Sequence, residues 1–246
     1  MSTPNHITHL VRIDHLCKDW CSKHSRSCAY FSSLLNILTQ RKDTSNFLFS
    51  SNNDNPSKNF SCTNLIPFSS HKNLPFALQS QPLTLLIYKQ SHEIEEILTT
   101  IHSILDEFEE IINLMKGILN QSNKLVNPSQ KSKQSPKKPK STPPKKQIIN
   151  LFDNFENPGD IADIPIITSN YYIVRIVEMY EKELCYKKNL IFGGCFKIDH
   201  NDEGINNVKL ISERWAVQPY LLFEVEEEIF DRIKIWKRVK EFEALK

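Results

Sequence analysis

Glycine is scarce, with five in 246 residues. That leaves little material for a phosphate-cradling loop, and no G-x-S-x-G, Walker-type or G-x-G-x-x-G pattern occurs. Long apolar runs are also missing, since none approaches the ~18 residues of a membrane span. Met1 is followed by a polar, His-containing stretch rather than by a basic segment and an apolar block. The chain is therefore expected to be neither secreted nor membrane-spanning. Its six cysteines, Cys17, Cys21, Cys28, Cys62, Cys185 and Cys195, follow no framework spacing and are expected to be reduced thiols in cytosol or nucleus. Charge of one sign is lacking as well: 31 basic residues against 29 acidic ones leave +2, which selects neither nucleic acid nor an acidic partner. Any electrostatic role must be local.

Apolar side chains make up 39% of the chain and aromatics 10%, enough to bury a sizeable core. Leu10, Ile13, Cys17, Trp20, His24, Cys28, Phe31, Leu35 and Leu38 recur at spacings of three and four, which predicts a long N-terminal helix with one apolar face. Residues 43–64 fill with Ser and Asn and read as a polar loop. Pro75 and Pro82 punctuate the next segment, whose LIPF and LTLLIY runs are too short to classify.

A central helix follows, with Ile94, Leu98, Ile101, Leu105, Phe108, Ile112, Met115 and Leu119 forming a heptad seam. Beside it runs a second row, Ile97, Ile104, Ile111 and Ile118, wider than a two-stranded coiled coil needs. A helix packed on two neighbours in a bundle fits better. Residues 123–147 carry eight lysines among prolines and no acid, the composition of a disordered basic linker. The linear reading is thus an N-terminal helical region at 1–122, the linker, and a C-terminal helical region at 148–246. In the last region, Tyr172–Ile191 has helical spacing and ends at Gly193 and Gly194. CFKI, HNDEG and NVKLI suggest a short hairpin. Pro219 opens a final helix whose acids precede its bases and whose row Leu222, Val225, Ile229, Ile233, Trp236, Val239, Phe242 should dock its C-terminus. The fold class expected is mainly α, a bundle of long amphipathic helices with a candidate hairpin.

Chemistry has few candidates. Cys17, Cys21, His24 and Cys28 are ligand types on one helix face, yet Cys17 and Cys28 would stand ~16 Å apart along the axis and cannot converge on one zinc. Buried thiols in an apolar seam are the better account. His92-Glu93 starts like a zinc-protease helix, but no second His follows at i+4. Neither a catalytic constellation nor a cofactor or metal site is expected. The lysine/proline segment is the one concentrated charge: Lys137, Lys138, Lys140, Lys145 and Lys146 are candidates for a nuclear-import signal or an RNA contact. Without aromatics such a contact would be sequence-blind, and a solvated spacer is the third reading.

The order of elements resembles the ribosome maturation factor AIRIM family, helical proteins associated with AAA ATPases. The Trp20 helix running into FSSLLNILTQ is similar to that family's first helix, and NLPFALQSQPLTLLIYKQSHEIEEIL to its route into a central helix. The strongest resemblance lies in IVRIVEMYEKELCYKKNLI, where Ile176, Tyr180, Lys182, Lys187, Lys188, Leu190 and Ile191 match the family's apolar and basic positions, followed by Trp215. The polar loop and the basic linker depart from the pattern. The resemblance implies a non-enzymatic adaptor linking an AAA ATPase complex to large-subunit pre-ribosomes, in nucleus and cytoplasm. The alternative is a structural coiled-coil subunit of a cytoskeletal or chromosome-associated complex.

Overall fold

The computed structural model describes residues 5–53, 76–127, 164–193, 196, 198 and 201–244. These form α1 (Asn5–Asn53), α2 (Phe76–Val126), α3 (Ile166–Phe192), α4 (Asp202–Val217) and α5 (Phe223–Ala244). The fold is mainly α, and among the described residues there is no strand.

The helices belong to two compact units, each discontinuous in sequence. The first takes Met1–Ser22, Phe108–Cys185 and Pro219–Lys246; the second takes Lys23–Glu107 and Tyr186–Gln218. In the first, α1 contributes Ile7, Leu10, Ile13, Cys17 and Trp20, α2 contributes Phe108, Ile111, Ile112, Met115 and Ile118, and α3 contributes Ile173, Ile176, Val177 and Tyr180. Ile229 and Ile233 of α5 complete that core. In the second, Phe31, Leu34 and Leu38 are buried with Ile101, Ile104, Leu105, Leu190, Ile191, Val208, Ile211 and Trp215. Both isoleucine rows of α2 are therefore interior from Ile101 to Ile118, as expected of a helix with more than one neighbour.

Several sequence expectations need correction. The buried row of α1 beyond His24 passes through Ser27, Phe31, Leu34 and Leu38, while Cys28 and Leu35 are only half-buried. Both rows keep helical spacing, so periodicity alone could not choose between them. Residues 43–53 of the expected polar loop are helical, and 54–64 lie outside the described residues. The Thr44 hydroxyl there works with the helix, donating to the Gln40 carbonyl at 2.8 Å instead of redirecting the chain. The start of the expected linker, 123–126, is the last turn of α2, and 128–147 lie outside the described residues. Pro82 sits inside α2, near its start, where a lost backbone bond does not end the helix.

The hairpin does not form, because NVKLI is part of α4. What read as a turn in HNDEG is a helix start: the Asn201 side chain accepts from the Gly204 amide at 2.8 Å, with Asp202 and Glu203 in the first turn. Burial of Gly204, Val208, Ile211 and Trp215 then follows the helical period. Gly193 does end α3. A Cβ there would lie 2.3 Å from the Asn189 carbonyl oxygen, a contact that only glycine avoids. The final helix starts at Phe223, after Gln218 adopts a left-handed φ of 48° and Pro219 blocks continuation. Of its expected row, Ile229 and Ile233 are buried, Val225, Trp236 and Val239 half-buried, and Leu222 and Phe242 exposed.

Candidate functional site

The residues marked by the sequence fall in three places. Lys137, Lys138, Lys140, Lys145 and Lys146 lie outside the described residues. Ile176 and Tyr180 are core of the first unit, whereas Lys187, Leu190, Ile191 and Trp215 are core of the second. Lys182 is exposed and Lys188 half-buried.

Lys187 is the unexpected member, a lysine with no exposed surface. Its Nζ donates to the Trp215 carbonyl oxygen at 2.9 Å and stands 4.3 Å above the Trp215 ring. It also meets His24 Nδ1 at 3.4 Å. An ammonium can only donate, so Nδ1 accepts and the imidazole proton sits on Nε2, which faces Cys28 Sγ at 3.6 Å. Burial, followed by the adjacent Lys187 charge, pulls His24 down to about 4, in keeping with a neutral ring. Trp215 Nε1 donates to Ser27 Oγ at 2.8 Å, and Ser27 donates to the His24 carbonyl at 2.6 Å. That chain explains why Ser27, not Cys28, faces inward. Sequence reasoning had no signal for it, because a serine in an apolar row scores as a defect until its indole partner is known.

The first unit holds a second polar cluster. Trp20 packs on Phe108 with centroids 4.0 Å apart and meets Tyr180 edge-on at 5.0 Å. The Tyr180 hydroxyl donates to Glu226 at 2.8 Å. Burial and then the Glu226 charge push the Cys17 thiol well above its ordinary range. Cys21 and Cys28 are likewise raised, chiefly by burial. Burial thus disfavours the thiolate form of all three. Among the described residues no group of three or more His, Cys, Asp or Glu has the placement to hold a metal ion. Both clusters are closed to solvent at their centres, with Trp20, Tyr180, Lys187 and Trp215 all at 0% exposure. As placed, they satisfy and orient buried groups.

Each unit also exposes some large apolar side chains. On α2, Gln90 and Ile94 face the core, while Leu85 and Tyr88, one turn apart on the other side, are 68% and 73% exposed. Leu86, 41% exposed, lies on the Gln90 side of the helix instead. In the first unit, Ile167 and Tyr171 form an exposed i, i+4 pair on α3, and Phe223 and Phe230 an exposed i, i+7 pair on α5. Among the described residues no helix is long and apolar enough to cross a membrane. No family model, no curated protein and no solved structure matches the chain.

Proposed function

We propose that the chain is a non-catalytic helical adaptor, and that its partners are an AAA ATPase complex and large-subunit pre-ribosomes, in nucleus and cytoplasm. The observation that carries the adaptor reading is the exposed apolar pair Leu85 and Tyr88 of α2, on a helix whose opposite side is packed through Gln90 and Ile94. Large apolar side chains grouped at helical spacing mark protein-binding surfaces more often than isolated ones do. The ribosomal role rests on the family resemblance. Against a two-stranded coiled-coil subunit stands the second isoleucine row, whose Ile104, Ile111 and Ile118 are at most 2% exposed and so already engaged within the chain.

The test is affinity purification of the tagged chain at native abundance. An AAA ATPase and pre-ribosomal proteins should co-purify, and Leu85→Glu with Tyr88→Glu should deplete at least one of them while leaving the fold intact. Recovery of neither from a folded bait ends the ribosomal role. A purified α2 segment that forms a stable elongated dimer would favour the coiled-coil alternative. Replacing Lys137, Lys138, Lys140, Lys145 and Lys146 by Gln should shift the protein to the cytoplasm if they serve import; unchanged nuclear localisation rules out an essential import role.

A further inference from the structure

Lys18 on α1 and Phe230 on α5, both in the first unit, border a cavity of about 390 Å³. Its lining is uneven in charge: Lys18, Lys234, Lys237 and Arg238 face two carboxylates, Asp14 and Glu241. Lys18 is matched by Asp14 at 2.6 Å. Lys237 and Arg238, in contrast, are exposed and make no ion pair among the described residues. Phe230 is 43% exposed although it borders buried Ile233, and Lys18 Nζ and Lys234 Nζ stand 4.9 and 6.0 Å from its ring centroid, so the cavity combines unmatched positive charge with a half-exposed aromatic ring. The last turn of α5 carries no basic residue, so the helix dipole accounts neither for these cations nor for the aromatic ring beside them.

We propose that this groove binds an acidic segment of a partner protein, with carboxylates over Lys237 and Arg238 and an apolar side chain against Phe230. Charge complementarity selects the acid. An RNA strand fits less well, for two reasons. Lys18 Nζ already stands 4.9 Å over the Phe230 ring, which leaves that face poorly placed for a base to stack. Asp14 and Glu241 also interrupt the basic lining, whereas a phosphate backbone favours a continuous basic track. A peptide can alternate carboxylates with apolar side chains, so it needs neither flat stacking on the ring nor a continuous basic track. The volume suits the side chains of one segment rather than a folded domain. The groove is separate from the α2 face, and its test does not depend on the adaptor's proposed partners.

The experiment uses the full chain and a short fluorescent peptide in which Asp and Glu alternate with Leu and Phe, read by anisotropy. Binding should weaken at least about tenfold in Lys237→Glu/Arg238→Glu and several-fold in Phe230→Ala, with thermal melts close to that of the parent. Binding should also fall with added salt. Four results overturn the proposal: no binding of the probe, equal binding of an all-Asp peptide, equal or tighter binding of oligouridylate, or unchanged affinity in both variants. A fifth concerns the chain itself, whose residues 148–163 contain four acids and neither Lys nor Arg. If the probe binds only after Asp153, Glu156, Asp160 and Asp163 are changed to Asn, the groove serves the chain's own acidic stretch and not a partner.

Discussion

Each unit is built around a tryptophan, and the two are set in opposite surroundings. Trp20 lies in an aromatic stack with Phe108 and Tyr180, and the polar group at its border is an acid, Glu226. Trp215 meets the Phe31 ring at 5.2 Å, and on its own ring sits the Lys187 ammonium, with neutral His24 alongside. The contrast shows how similar helical segments reach a filled core by different means. The first unit relies on ring packing with a carboxylate at the edge. The second buries a cation by giving it a carbonyl, an imidazole and a π face. The two clusters, through His24 and Glu226, should therefore respond oppositely to acid.

The largest effects should come from removing the anchors. Trp20→Ala, Phe108→Ala and Trp215→Ala should each cost ~3–5 kcal/mol in urea unfolding, through lost burial and the cavity left behind. Trp215→Ala should be the most severe, because it also strips Lys187 of its ring and Ser27 of its indole donor. A cost below ~1 kcal/mol for Phe108→Ala would make the α2 stripe a partner groove instead of core.

Next comes pH. His24 is held at about 4 against a reference of 6.5, so in this window the unfolded chain binds more protons than the folded one. Stability contributed by neutral His24 is complete above ~6.5 and is lost as pH falls towards 4, by an amount on the order of 2–3 kcal/mol. Glu226 has the opposite sign: burial raises its pKa, so its contribution is present below its unfolded value and is lost as pH rises through the folded one. Unfolding curves across the acid range should accordingly flatten in His24→Gln and steepen in Glu226→Gln. Lys187→Met should move His24 upward in an NMR titration, because the neighbouring charge is gone. A His24 titration that stays in place would show that burial alone sets it.

Smaller still is the hydroxyl of Tyr180. Tyr180→Phe keeps the ring against Trp20 and loses the bond to Glu226, so a cost of ~1–2 kcal/mol is expected in the same unfolding assay. The smallest effect belongs to the second unit's surface. Glu107 accepts from Lys23 and Arg26, both at 2.6 Å, and the bond from Lys23 leads in holding its carboxyl below the usual range. Glu107→Gln should cost less than ~1 kcal/mol, and added salt should shrink the difference.

The helices could be read from the order of residues because the backbone repeats every 3.6 residues whatever the partner, and α2 and α3 carry apolar rows that match. Gly193 as a stop was equally legible, since steric exclusion is local. The HNDEG start of α4 was also local chemistry, an Asn cap followed by acids, but it shares its residue types with a turn. Which row of a helix faces inward is a different matter. Ser27 rather than Cys28 faces the core because Trp215, 188 positions away, supplies a donor for its hydroxyl. Lys187 is buried because the Trp215 carbonyl and ring and the His24 nitrogen converge on it. Even the groove beside Phe230 depends on pairing α1 with α5. Periodicity is a property of one helix and is written in its own residues. The partner of a buried polar group is a property of the packing, and only the tertiary structure decides it.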